Sequence, residues 1–372
     1  MKRLLLALLA VILLIDALSL FVFGDDPADA LDKSLSDALP DEVKKYLSGD
    51  GEALTSELLS GMGVSFFLDY SQESLRDALL CAFKAFSSLF ALTLLACVLI
   101  GASSSFCYAN TRVFTYAALC SVTLAAFTSV YPFITCASEA LTKLAAFFGG
   151  IAPVVSAIYL CAGHPTSAAI GAQALALLCS VIGDFCPSVL LPLVKLDFAL
   201  GFSDCLSPSG AASEAGKIVR RIFLFFSAFL MCVMTTVFAF QSNIASRSDS
   251  VGLRALRFAA GRSIPVVGSS VSEAAATMLG SLSLIKSVTG GAGIAAVLIL
   301  ILPAIFSLVL AKLSLDACAS LAGAAECSQV QKILSYSAKT LDFVTAVCAI
   351  FAVASIFELS VLMNTDIQVI SK

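Results

Sequence analysis

Charge is scarce in this chain, and that scarcity decides its class. Asp, Glu, Lys and Arg make up only 13% of the 372 residues, against 59% hydrophobic residues, whereas soluble domains carry about a quarter charged residues. One water-soluble core cannot hide that much apolar surface, so a soluble globular fold is excluded. Histidine is almost missing: His164 stands alone and precedes Pro165 in a short connection. That is a place for a turn residue rather than for a general base, which needs positioned partners. The thirteen cysteines, from Cys81 to Cys348, show no CxxC or Cys/His ligand spacing. They read as small buried hydrophobes rather than as a zinc site or a disulfide framework. The Gly-rich run at 290–293 lacks the Lys-Ser/Thr of a phosphate loop, and no sustained basic, aromatic surface fits a nucleic acid. No catalytic residue, metal ligand or cofactor is therefore expected.

What the chain does have is long apolar runs in an uneven field of charge. Lys2 and Arg3 precede an apolar stretch over 1–24, the layout of a signal peptide or a signal anchor. Either one exports the chain from residue 25 onward. Residues 25–77 hold thirteen acidic side chains against four basic ones and no cysteine, whereas 78–372 holds sixteen bases against twelve acids. Leu31, Leu35 and Leu39 stand four apart before Pro40, and Val43 and Leu47 resume the pattern. The exported acidic region is thus read as short helices that pack on the membrane body or a partner, with a solvated spacer as the alternative.

A membrane helix needs about 20 mainly apolar residues. Candidate spans lie at 79–102, 113–135, 144–162, 169–194, 219–240, 292–312 and 341–364. Gly183, Asp184, Pro187 and Pro192 interrupt the fourth and predict a break or kink. The expected architecture is all-α: a polytopic helical membrane domain over 78–372 with about seven to eight transmembrane or re-entrant helices, behind a small exported helical region. The segment 241–263 carries Arg247, Arg254, Arg257 and Arg262 against Asp249 and reads as a cytoplasmic loop. Five crossings from an exported head agree with that. Lys217, Arg220 and Arg221 do not, since they then mark the outer end of the fifth span.

One segment is unlike the others. "SIPVVGSSVSEAAATMLGSLSLIKSVTGGAG", 263–293, is too small-residued for an ordinary span and too uncharged for an ordinary loop. On a helix, Val267, Val271, Met278, Leu282 and Ile285 form an apolar stripe, opposite a small stripe of Ser272, Ala276, Gly280, Ser283 and Ser287. Small residues three and four apart let membrane helices approach closely. Pro265 suits a helix start, and Gly290, Gly291 and Gly293 suit its end. A spanning or re-entrant helix over 264–289, wedged among other helices, is expected. Pro265, Gly268, Ser272, Glu273, Ala276, Gly280 and Lys286 are its candidate packing or pathway residues. Glu273 and Lys286 also sit where the helix dipole favours them, and Lys286 can reach the interface. Asp184 is either a buried structural partner or a pathway-lining group.

A faint internal echo pairs Pro-Val-Val at 153–155 with Pro-Val-Val at 265–267. A looser one pairs Leu191-Pro192, Lys195 and Asp197 with Leu302-Pro303, Lys312 and Asp316. Broken or small-rich helices in matching places point to a repeat-built transport site.

The exported helical head, the multi-span body, "SIPVVGSSVSEAAATMLGSLSLIKSVTG" at 263–290 and "GIAAVLILILPAIFSLVLAKL" after it resemble the stage III sporulation protein AE family of endospore-forming bacteria. Pro265-Val266-Val267-Gly268, Ser272-Glu273, Gly280, Leu284 and Lys286 are the specific part. The resemblance implies a non-enzymatic, permease-like membrane subunit of the channel complex, or feeding tube, that links mother cell and forespore and is needed for late forespore development. It implies residence in the mother-cell-derived outer forespore membrane. The implied partners are other membrane proteins of that complex, a forespore-side partner reached through the space between the membranes, and the lipid bilayer, with no nucleic acid. The competing expectation is an independent secondary transporter with a midplane site between the two Pro-Val-Val helices.

Overall fold

The computed structural model describes the backbone of residues 64–106, 111–161, 164–206, 211–263 and 268–364. Side chains are described at 75–76, 78–102, 113, 115–160, 164–184, 188–203, 214–249, 251, 291 and 293–362. The signal-like segment and the acidic region up to residue 63 lie outside these. The described residues are built from helices alone: α1 (Val64–Phe106), α2 (Thr111–Cys161), α3 (Pro165–Phe185), a π-helical turn (Cys186–Leu190), α4 (Leu191–Leu206), α5 (Ala211–Ser263), α6 (Gly268–Ala324) and α7 (Ser328–Asn364). Six stretches are long and apolar enough to cross a membrane: Ala78–Ala102, Thr115–Leu160, Pro165–Ser203, Glu214–Asp249, Gly293–Ala324 and Ser328–Leu362.

The count departs from the sequence expectation at one place. The candidate spans 113–135 and 144–162 are a single 51-residue helix, α2. The polar interval that separated them, "CASEALTK", is amphipathic: Ala137, Ser138, Ala140 and Leu141 are buried while Glu139, Thr142 and Lys143 are exposed. Its charges therefore sit on the outer face of a continuing helix, four residues apart in the order that supports helix. At 1.5 Å per residue the helix is about 76 Å long, more than twice the hydrocarbon thickness, so it crosses at most once.

Two further expectations change in the same direction. The basic segment 241–263 is no loop but the C-terminal part of α5. Gly290, Gly291 and Gly293 do not end a helix; α6 runs unbroken from Gly268 to Ala324, 57 residues. Gly293 is instead a close-packing position: a Cβ there would lie 3.3 Å from Leu359 on α7 and 3.7 Å from Ile151 on α2. The break expected near Asp184 is present as the π-helical turn that joins α3 to α4. Pro187 has no N–H to give to a regular ladder, and a wider turn accommodates that loss.

The helices run alternately up and down between two ends. At one end, Ala325–Cys327 turn α6 into α7 beside α1, where the Cys327 thiol faces the Cys97 carbonyl at 3.9 Å. The turn is a Schellman motif. Cys327 N–H bonds Ala322 O, Glu326 N–H bonds Gly323 O, and Glu326 takes the left-handed conformation at φ 57°. At the other end, the Tyr159 hydroxyl donates to the Leu362 carbonyl at 2.5 Å, and α2 turns into α3.

Burial divides the helices by role. An 18-residue apolar stretch within Gly293–Ala324 of α6 is 61% buried, and this helix forms the centre, flanked by α1, α2 and α7. Phe147, Phe148, Leu141 and Leu144 of α2, Leu175 and Leu178 of α3 and Phe351 of α7 fill the interior. An 18-residue apolar stretch within Glu214–Asp249 of α5 is only 17% buried. Its outer stripe, Ile222, Phe225, Phe229, Val233, Phe240 and Ile244, is exposed along the helix, the pattern of a face turned to lipid.

Candidate functional site

Among the described residues the bundle holds three buried polar arrangements, none of them among the site residues expected from the sequence. The largest is centred on Asp197 of α4, which is 1% exposed. Its Oδ2 accepts from Arg220 Nη1 at 2.7 Å and from Thr340 Oγ1 at 2.6 Å, and its Oδ1 accepts from the Tyr336 hydroxyl at 2.9 Å. The Arg220 guanidinium also lies over the Tyr336 ring, 4.6 Å from its centroid, a cation–π contact strengthened by desolvation. Three helices meet in this cluster: α4 gives the acid, α5 the base, α7 the two hydroxyls.

Two glycines make room for it. A Cβ on Gly201 would fall 2.3 Å from Tyr336 Cδ1, and one on Gly216 would fall 2.0 Å from the Tyr336 hydroxyl oxygen. The tyrosine ring therefore lies directly on the backbones of α4 and α5. Burying the pair is itself expensive, because two charges lose their water; the satisfied hydrogen bonds offset that cost. Arg220, which fits no outer loop as a charge, is thus accounted for as a buried partner.

The second arrangement caps α3. Pro165 occupies the first helical position, whose missing N–H is harmless there. His164 precedes it and its carbonyl accepts the first helical bond, from Ala168 at 3.0 Å. Imidazole is a poor N-cap, and the capping carboxylate comes from another helix. Asp249 of α5 accepts from Thr166 N–H at 3.2 Å, from Ser167 N–H at 2.8 Å and from the Ser167 hydroxyl at 2.7 Å. His164 Nδ1 lies 3.8 Å from the same carboxylate. An acid at a helix N-terminus satisfies orphan N–H groups and meets the positive end of the dipole.

The third lies on α7. Ser355 and Glu358 are 0% and 1% exposed, one turn apart, and neither Ser355 Oγ nor Glu358 Oε2 has a hydrogen-bond partner. Of the two acids in the apolar run 341–364, Asp342 stands at its start and Glu358 deep inside it, and that depth is the sequence signal for the arrangement.

The predicted site residues fare differently. Asp184 is exposed near the end of α3, so it is not a buried structural partner. Pro265 lies outside the described residues. Gly268, Ser272, Glu273, Ala276, Gly280 and Lys286 are on the first half of α6, continuous with its enclosed second half, and their side chains lie outside the described ones. The loose echo does not pair like with like, since Asp197 is buried whereas Asp316 is exposed and Lys312 pairs with Asp342. The nine described cysteines are free thiols, and no three His, Cys, Asp or Glu side chains converge among the described residues.

Among the described residues, six membrane-competent stretches, one of them central, with polar clusters inside and apolar faces outside, define a polytopic helical membrane protein. The sequence pattern of the stage III sporulation protein AE family matches residues 47–365, so the chain belongs to that family and is a sporulation protein of the membrane. It is 24% identical over 170 residues to "Stage III sporulation protein AE" of Bacillus subtilis (strain 168), a match covering 46% of this chain and 43% of that relative. No solved structure matches the fold.

Proposed function

We propose that the chain is a non-enzymatic, cofactor-free integral subunit of the channel complex that joins mother cell and forespore, seated in the mother-cell-derived outer forespore membrane. Family membership over 47–365 carries the reading. The build of the molecule supports it. The interior is filled by large side chains, and the small-residue half of α6 extends the most enclosed helix as a packing element for neighbouring membrane proteins. The acidic region 25–77 is the segment available to a partner in the space between membranes.

Co-purification from sporulating cells, with the full chain and with a chain lacking 25–77, tests it. Other small membrane proteins should accompany the full chain, and part of that set should be lost with the acidic region. Recovery of the full chain alone would overturn the reading. Leu at Ala276 and Gly280 should likewise break assembly.

The second reading, an independent secondary transporter, is favoured by one observation. Val155 of the first Pro-Val-Val segment packs near Gly171 and Leu362, at the level of the buried Glu358. Under it, Asp184→Asn and Glu273→Gln abolish function while the protein accumulates and its partners remain bound. Normal sporulation in both variants would count against transport.

A further inference from the structure

The stripe of α7 formed by Phe351, Ser355, Glu358 and Leu362 is at most 5% exposed throughout. It faces a junction of four helices. Leu362 Cδ2 lies 3.1 Å from the position of a Cβ on Gly171 of α3, and Val155 Cγ1 of α2 lies 4.0 Å from that same position. Leu359, next to Glu358, meets Gly293 of α6, with Ile151 of α2 alongside.

Both polar side chains on this stripe break a habit kept elsewhere in the protein. Ser227, Ser314 and Ser337 return their hydroxyls to the carbonyl four residues back, at 2.9, 2.9 and 3.0 Å. Ser355 Oγ makes no such bond. The other buried acids are held: Asp197 by Arg220, Tyr336 and Thr340, and Asp249 by Thr166 and Ser167. Lys312 is paired with Asp342, and Lys217 with Glu214. Glu358 Oε2 has no such partner.

Glu358 Oε2 is left without a donor when it is ionised and without an acceptor when it carries the proton; a buried polar atom left that way is costly. A single positive charge bound between the two oxygens resolves both deficits. No three His, Cys, Asp or Glu side chains converge among the described residues, so the single negative charge of Glu358 matches a monovalent rather than a divalent ion, and hard cations take oxygen ligands such as carboxylate and hydroxyl.

We propose that Ser355 and Glu358, at the junction of α2, α3, α6 and α7, form a binding site for a small monovalent cation of the sodium class. The site does not depend on the channel-complex reading. A subunit that uses the ion to fix helix packing and a transporter that moves it would both contain it.

The test is thermal unfolding of the purified full chain in detergent, at one pH and one ionic strength, in sodium, potassium or choline chloride. An ion that binds only the folded state raises the midpoint with its concentration. Sodium should raise the wild-type midpoint above that in choline, and Glu358→Gln should abolish the rise. Ser355→Ala, which keeps the carboxylate, should fold and should shift the half-effective sodium concentration upward by about tenfold, the loss of one ligand. Identical wild-type midpoints in the three salts would overturn the proposal, as would a sodium response that survives Glu358→Gln. If Glu358→Gln does not fold, Ser355→Ala decides alone: an unchanged sodium response rejects the site.

Discussion

Asp197 and Arg220 meet at 2.7 Å inside the bundle, 23 residues apart in the chain and 1% and 8% exposed. The pair joins α4 to α5, and Tyr336 and Thr340 tie both to α7. Removing one partner leaves a buried charge uncompensated, at a cost of about 3–5 kcal/mol, whereas replacing both by apolar residues can be neutral. Asp197→Ala should therefore lower the unfolding midpoint in detergent far more than Asp197→Leu combined with Arg220→Met. Equal losses in the two would show that the charges are not coupled.

The glycine cradle makes a selective rescue possible. Gly216→Ala collides with the Tyr336 hydroxyl, and Gly201→Ala collides with the ring carbon Cδ1. Tyr336→Phe removes only the hydroxyl. It should restore much of the stability lost by Gly216→Ala and little of that lost by Gly201→Ala. Differential scanning of the four variants checks the difference.

Asp249 caps a helix more than 80 residues away from it in sequence. Loss of a cap costs about 1 kcal/mol, up to about 2. Asp249→Ala should cost that much and speed hydrogen exchange at the Thr166 and Ser167 amides. Asp249→Asn, still an acceptor but without charge for the helix dipole, should fall between.

Glu326 holds a left-handed conformation that glycine adopts without penalty. Relief of that strain is worth about 1–2 kcal/mol. Glu326→Gly should raise the unfolding midpoint, and a drop would indicate that the Glu326 side chain supports the turn.

The merged helix α2 changes the parity of the chain. Four spans lie between residue 78 and Asp249: Ala78–Ala102, Thr115–Leu160, Pro165–Ser203 and Glu214–Asp249. An even number returns the chain to the side it started from, so an exported acidic region and a cytoplasmic Arg247–Arg262 segment are incompatible. Compartment-sensitive reporters fused after residues 77 and 263 should report one side, and a fusion after 206 the other. Opposite signals at 77 and 263 would restore a fifth crossing.

Much of the fold is readable from the chain alone. An apolar run falls on every membrane-competent helix, although the runs fall short of most helix ends and split α2 in two, and the Pro187 region locates the π-helical turn. Two of the three polar arrangements are not readable, because they join residues distant in sequence. Thr340 lies 143 residues from Asp197, and Tyr159 reaches a carbonyl 203 residues on. Glu358 escapes notice because the acid-poor span 341–364 reads as plain hydrophobic helix, whereas Asp184 stands out through its neighbouring prolines and is exposed.

The sequence by itself determined that this is a helical membrane protein, since so few charges and so many apolar side chains have a low free energy only in lipid. Its motifs also determined the family. Only the tertiary structure decided which charges are buried, which glycines pack rather than terminate, and which apolar runs join into one helix. Those outcomes depend on what the neighbouring helices place opposite each residue. A glycine ends a helix in the open and continues it when Leu359 needs the space, and an aspartate is tolerable inside when an arginine, a tyrosine and a threonine converge on it.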